Sequence, residues 1–267
     1  MKYDLFISDF DGTLGSAPDL VEKENIEAIK KYVEKGGIFA IITGRLNSSI
    51  RPICLKYGLK GLVISYQGAM IKDIETDKTI FMGGIKYDLA GEVIKDFLSE
   101  NAQTIVEMED KLVYTERSEY IKYYEEAVGV DGEFTCDLVK YVLDKKRDVQ
   151  KINVVGTREK CAELTEKFRK KYKDRLIFNN GSYRIVEAIN PKCSKGEAVR
   201  FLAKYYNIPH EKIITVGDST NDIELISGDW HGVAVGDARE ELKAIADEVT
   251  VPFKENPVKF LLEKYCL

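Results

Sequence analysis

Asp9 and Asp11 stand two residues apart in Phe6-Ile7-Ser8-Asp9-Phe10-Asp11-Gly12-Thr13-Leu14, directly after the apolar run Leu5-Phe6-Ile7. Two carboxylates at the end of a buried run repel each other, and burying unpartnered charge is costly or forces protonation. A divalent cation resolves the conflict, and hard oxygen donors favour magnesium. Three further clusters carry polar groups of the same kind. Thr43-Gly44-Arg45 offers a hydroxyl, Cys193-Ser194-Lys195-Gly196 an ammonium, and Val216-Gly217-Asp218-Ser219-Thr220-Asn221-Asp222 two more carboxylates. Alone, each has a plainer meaning. Asp-x-Asp can cap a helix, Thr-Gly can break a strand, and Lys195 can be a solvated helix residue. Together they form an inventory for a magnesium-bound phosphate, not for acyl or hydride transfer.

The elements that must position these residues can be read from hydrophobic periodicity. Val21, Ile26, Ile29 and Val33 recur at helical spacing after Pro18 and stop at Gly36-Gly37. Ile38–Ile42 then reads as a buried strand, followed by the polar turn at Thr43 and a second helix ending at Gly58. Leu62–Ser65 is a third strand. The alternation resumes with a helix over Lys195–Tyr206, a strand Ile213–Val216, a helix after Asn221 and a strand at Val233–Val235. Near-continuous apolar strands alternating with helices predict an α/β fold, a Rossmann-like parallel-sheet core with helices on both faces. In such sheets ligands bind outside the carboxyl ends of the strands, so all four polar clusters can face one crevice.

Between residues 83 and 188 the texture changes. Thr104–Met108 and Leu112–Thr115 flank Glu109-Asp110-Lys111 as a hairpin, Gln150–Val155 and Ser182–Ile189 read as strands, and Tyr87–Glu100 and Thr157–Tyr172 as helices. This pattern predicts a core made of residues 1–82 and 189–267, with 83–188 inserted as an α+β domain. The insert is entered near Gly83-Gly84 and left near Asn190-Pro191.

Composition excludes several classes. A net charge of −5 argues against a general nucleic-acid binder. No apolar stretch has transmembrane length, and Met1-Lys2-Tyr3-Asp4 leads into the first strand rather than into a signal peptide. Five scattered cysteines (Cys54, Cys136, Cys161, Cys193, Cys266) without a C-x-x-C read as reduced thiols, hence an expected cytoplasmic location. His210 and His231 are too few for a typical zinc site and read as packing or surface residues. Tyr114, Tyr120, Tyr123 and Tyr124 read as core packing, and Lys167–Lys173 as a solvated helix end.

In order and spacing, D-F-D-G-T-L at Asp9–Leu14, T-G-R at Thr43–Arg45, S-K-G at Ser194–Gly196 and G-D-S-T-N-D at Gly217–Asp222 resemble the four motifs of the haloacid dehalogenase-like phosphatases. The large insertion between the second and third motifs resembles the Cof-type subfamily. Two departures stand out: Ser65-Tyr66-Gln67-Gly68-Ala69 where S-N-G-A is common, and Gly236-Asp237-Ala238 where G-N-A is common. The resemblance implies a magnesium-dependent phosphomonoester hydrolase acting on a small phosphorylated metabolite (a sugar phosphate, nucleotide or cofactor phosphate). Asp9 would be the nucleophile and Asp11 the general acid and base. Asp9, the Asp11 backbone carbonyl and Asp218 would hold magnesium. Thr43, the Gly44 N–H, Lys195 and Asn221 would bind phosphoryl oxygens, and Asp222 would order Lys195 or the metal's waters. The insert would be a cap that selects substrates, with Arg184 and Tyr183 as candidate contacts. The expected partners are this small metabolite alone, with neither nucleic acid nor membrane, and the expected state a monomer or small homo-oligomer. A phosphomutase and a non-catalytic phospholigand-binding protein are the alternative readings.

Overall fold

The computed structural model describes residues 1–16, 20–182 and 184–267. Pro18 and Tyr183 lie outside them. The chain divides into two compact units, Met1–Phe81 with Ser194–Leu267, and Met82–Cys193. Each has its own hydrophobic core.

The first unit is built on an eight-stranded sheet. Across it run Glu248–Val249, His231–Ala234, Ile213–Gly217, Leu5–Asp9, Ile38–Ile42, Leu62–Ser65, Met70–Asp73 and Thr79–Met82. Leu5–Asp9 pairs in parallel with both neighbours, Leu5 opposite Ile213 and Asp9 opposite Ile42. All five of its residues are buried, which is why the strand opens on the apolar run Leu5-Phe6-Ile7 before Ser8 and Asp9. Helix Lys23–Glu34 turns Ile26 and Ile29 inward, and the chain escapes at Gly36, whose φ of 91° suits glycine.

The sheet is not parallel throughout. Met70–Asp73 pairs antiparallel with Leu62–Ser65. Only the short turn Tyr66–Ala69 joins them, and a parallel return needs a crossover of a dozen residues or more. Val233–Val235, expected as a strand, is placed at His231–Ala234, and the helix after Asn221 is a single turn, Ile223–Ile226.

The second unit carries a six-stranded sheet: Glu133–Phe134, Lys111–Tyr114, Gln103–Met108, Lys151–Val155, Ile185–Ile189 and Ile177–Ser182. The hairpin turns through Glu109 and Asp110, both at positive φ. The single strand expected over Ser182–Ile189 is instead the second arm of a hairpin whose first arm, Ile177–Ser182, mixes apolar and amide residues too evenly to read. Helices Glu119–Val128 and Leu138–Lys145 were also hidden by their shortness, although Ser118 and Asp137 cap them through their side chains. One face of this sheet (Val106, Val113, Ile152, Val154, Phe178, Val186) joins the apolar core with Phe97 and Phe168. On the alternate positions Lys151 sits buried, 3.1 Å from Glu187 and 3.4 Å from Glu107. Tyr114 and Tyr124 pack inside as expected, while Tyr123 is exposed.

Candidate active site

Asp9 is the last residue of the central strand, and its parallel neighbours end beside it. Thr43 directly follows Ile38–Ile42, and Asp218 directly follows Ile213–Gly217. Parallel pairing therefore delivers three of the polar clusters to one edge of the sheet. The fourth arrives on helix Lys195–Tyr206. The Ser194 hydroxyl caps it by accepting from the Glu197 N–H, which fixes Lys195 as its first residue.

Lys195 is buried, and its Nζ donates to Asp9 Oδ1 and to Asp222 Oδ1, each at 2.6 Å. Asp222 is fully used: its other oxygen accepts the N–H groups of Asp218 at 3.1 Å and Ser219 at 3.0 Å. Burial alone would depress the Lys195 pKa, yet the Asp222 and Asp9 carboxylates outweigh it and hold the ammonium charged. Asp9 is pushed the other way. Desolvation first, and then Asp222, raise its pKa well above the carboxylate range despite Lys195. Asp218 is pushed up to about 6, by desolvation and then by Asp222. Its Oδ1 accepts from the Thr13 hydroxyl at 3.0 Å. Gly12 runs so close that a Cβ there would lie 2.7 Å from Asp218 Oδ2, and its φ is 87°. The D-G-T step needs its glycine for both reasons.

Asp11 points to a different partner. Arg45 grips it with a two-pronged fork, Nε at 2.9 Å and Nη2 at 2.6 Å, while the guanidinium lies 5.0 Å above the Phe10 ring. Thr43 is buried, and its hydroxyl oxygen accepts the Arg45 N–H at 3.2 Å. Asn221 sits on the single turn Thr220–Asp222 and is exposed. Arg184 is exposed beside strand Ile185–Ile189. Tyr183 is outside the described residues. Asp237 accepts the Phe253 N–H at 3.0 Å and so ties down a turn.

The fold thus brings Asp9, Thr43, Lys195, Asp218 and Asp222 to one sheet edge. It adds Arg45 and Thr13, which sequence reasoning quoted within motifs without giving them work. A guanidinium two residues beyond Thr43, unmatched by any nearby acid in sequence, was the available signal for Arg45.

Ligand atoms of Asp9, Asp218 and Asp222 lie within 4.8 Å of one another. Three carboxylates so close, with two pKa values driven up by mutual burial, make a donor set that can hold a hard divalent cation. Because both Asp222 oxygens are committed, Asp9 and Asp218 are the pair left to hold it.

The sequence profile of the haloacid dehalogenase-like hydrolases matches residues 6–262. The chain belongs to that family. It is 27% identical to phosphatase YwpJ of Bacillus subtilis over 97% of its own length and 98% of the relative's. It is 25% identical to the B. subtilis 5-amino-6-(5-phospho-D-ribitylamino)uracil phosphatase YwtE, across 96% of each chain. The crystal structure of TM0651 from Thermotoga maritima superposes with a TM-score of 0.87 at 26% identity, covering 99% of this chain and 98% of that one. These relatives place this hydrolase among the family's phosphatases, on a Rossmann-like core. None of its described helices is long and apolar enough to cross a membrane.

Proposed function

We propose that this phosphatase is a magnesium-dependent phosphomonoesterase that works through an aspartyl-phosphate on Asp9. The observation that carries the proposal is the buried Asp9 carboxylate, held by Lys195 at the end of the central strand. A nucleophile must be fixed in place and freed of water, and this one is both. One Asp9 oxygen attacks phosphorus in line, and the bond from phosphorus to the ester oxygen breaks. Asp11 gives that oxygen a proton, exchanging the Arg45 fork for the leaving group, and then takes a proton from the water that hydrolyses the acyl phosphate. Lys195, the Thr43 hydroxyl and the Gly44 N–H receive phosphoryl oxygens, with Asn221 at the margin. Asp222 keeps Lys195 oriented from behind. Asp9 and Asp218, with the Asp11 backbone carbonyl, would hold magnesium, which when bound offsets the repulsion between carboxylate and phosphoryl oxygens.

The substrate in this reading is a small phosphorylated metabolite met in the cytoplasm, where the five cysteine thiols would stay reduced. The relative named for a ribitylamino-uracil phosphate supports that class. Residues 83–188, which fall within the second compact unit, act as the cap that sorts leaving groups, and Arg184 and Tyr183 are its candidate contacts. The test is a panel of phosphate monoesters with magnesium, combined with acid quench and mass spectrometry of the Asp9 peptide. Release of inorganic phosphate together with a phosphorylated Asp9 supports the mechanism. Turnover with phosphate found only on another residue overturns it.

A further inference from the structure

The turn after Leu62–Ser65 is built at a cost that its length does not require. Tyr66 and Gln67 follow one another at φ values of 55° and 61°, before Gly68 at 122°. Left-handed backbone is disfavoured for residues with a Cβ, and two in succession persist only where the surroundings over-determine them. The surroundings here are the phosphate-binding turn itself. The Gln67 N–H donates to the Thr43 carbonyl at 2.9 Å, and the Tyr66 N–H to the Arg45 carbonyl at 3.1 Å. The Tyr66 side chain is fully buried, and the helix that starts at Lys195 packs against this turn.

That backbone carries the Gln67 side chain over Gly44. A Cβ built on Gly44 would lie 2.6 Å from Gln67 Nε2 and 3.2 Å from its Cδ. Gln67 is only 6% exposed, whereas a glutamine serving merely to end a turn would extend into water. An amide beside Thr43 and Gly44 stands where a phosphoryl group accepts hydrogen bonds, and a phosphoryl group can use only its N–H end.

We infer that Gln67 is a substrate-binding residue of this site. Its side-chain amide donates to a non-bridging phosphoryl oxygen beside the Thr43 hydroxyl, and the left-handed Tyr66–Gln67 backbone is retained to aim it. The inference rests on the phosphomonoesterase reading and adds a donor to it. A single neutral donor to a charged acceptor, present in ground state and transition state alike, acts on binding more than on turnover.

The experiment compares wild type with Gln67→Ala, Gln67→Asn and Gln67→Glu. It reads kcat and KM on an aryl phosphate with magnesium, and orthophosphate affinity by calorimetry. Gln67→Ala should weaken orthophosphate binding and raise KM by about tenfold, with kcat within about threefold. Gln67→Glu keeps the size but sets an anion against the phosphoryl group, so it should weaken both by about a hundredfold or more. Gln67→Asn should fall between wild type and Gln67→Ala. Folded Gln67→Ala or Gln67→Glu proteins that bind orthophosphate within twofold of wild type overturn the inference. Should Gln67→Ala fail to fold, the isosteric Gln67→Glu decides. A wild type that binds orthophosphate yet hydrolyses no ester overturns the hydrolase reading alone, because the binding comparison still tests Gln67. A wild type that binds no orthophosphate overturns both.

Discussion

Lys195 Nζ stands 2.6 Å from Asp9 Oδ1, a contact between residues 186 positions apart that joins the first strand to the helix following the second unit. Both groups are buried, and Asp222 completes the triad from the other side at 2.6 Å. One ammonium between two carboxylates leaves a net negative charge, which Asp218 increases. Without a cation the site therefore keeps an uncompensated negative charge.

Removing the ammonium should be severe. Lys195→Met leaves two buried carboxylates without their partner, and breaking such a pair costs about 3–5 kcal/mol. Urea denaturation in EDTA should show the midpoint falling accordingly, with part of the loss recovered in magnesium. A variant as stable as wild type would show that Asp9 and Asp222 are neutralised by some other means.

Asp9→Asn should separate stability from activity. The amide oxygen can still accept from Lys195, and one member of the repelling set becomes neutral, so metal-free stability should hold or rise slightly. Turnover should fall by about three orders of magnitude or more, because both the attacking charge and a metal ligand are lost. A tenth of wild-type activity retained in a clean preparation would remove Asp9 as nucleophile.

The pH dependence follows from Asp218, pushed up to about 6 from an ordinary value of 3.8. A carboxyl whose folded pKa is raised contributes stability fully present below pH 3.8 and lost as pH rises through about 6. In the metal-free protein this loss is about 3 kcal/mol at most, less whatever solvent screening removes. Asp218→Asn can still accept from Thr13 but cannot ionise. In EDTA its stability relative to wild type should therefore climb between pH 4 and 7 and then level off. In magnesium the sign reverses, since the cation favours the ionised pair, and wild type should gain more from the metal as pH rises. Thermal melts across pH 4–8 in EDTA and in magnesium check both slopes. A pH-independent difference in EDTA would mean that Asp218 titrates normally.

Much of this site was legible because the parallel sheet leaves so little freedom. A buried strand that ends in Asp9, another followed by Thr43 and a third followed by Asp218 must, if parallel and adjacent, present those residues at one edge. What the sequence hid was finer. Met70–Asp73 turned back as a hairpin because Tyr66 and Gln67 accept a left-handed backbone that neither residue type favours, so only Gly68 of the turn signalled it. Strand Ile177–Ser182 escaped because its amide residues break the alternation. The fork between Arg45 and Asp11 depends on side-chain direction, which periodicity does not report.

That fork supplies the last prediction. Asp11 is half-exposed and Arg45 mostly covered, so the ion pair itself contributes about 0–1 kcal/mol, and Arg45→Ala should fold normally. Its effect should be on chemistry. If Asp11 protonates the departing oxygen, Asp11→Asn should slow esters of poor leaving groups, such as sugar alcohols, by a hundredfold or more. Aryl phosphates, whose phenols leave with little help, should slow far less in the first step. Without the base, hydrolysis of the intermediate slows as well, so phosphorylated Asp9 should accumulate and be visible by mass spectrometry. Arg45→Ala keeps the carboxyl but frees it from the guanidinium at 2.6 Å and 2.9 Å. It should not share the alkyl-ester defect, and its alkyl-to-aryl rate ratio should match or exceed that of wild type, because the acid is present and no longer has to leave the fork before it can carry a proton. Rates on matched alkyl and aryl phosphates for the three proteins decide the matter. Equal losses on both ester types in the phosphorylation step of Asp11→Asn, with no accumulation of phosphorylated Asp9, would leave Asp11 with no part in proton transfer, and the Arg45 fork would then be an ion pair and nothing more.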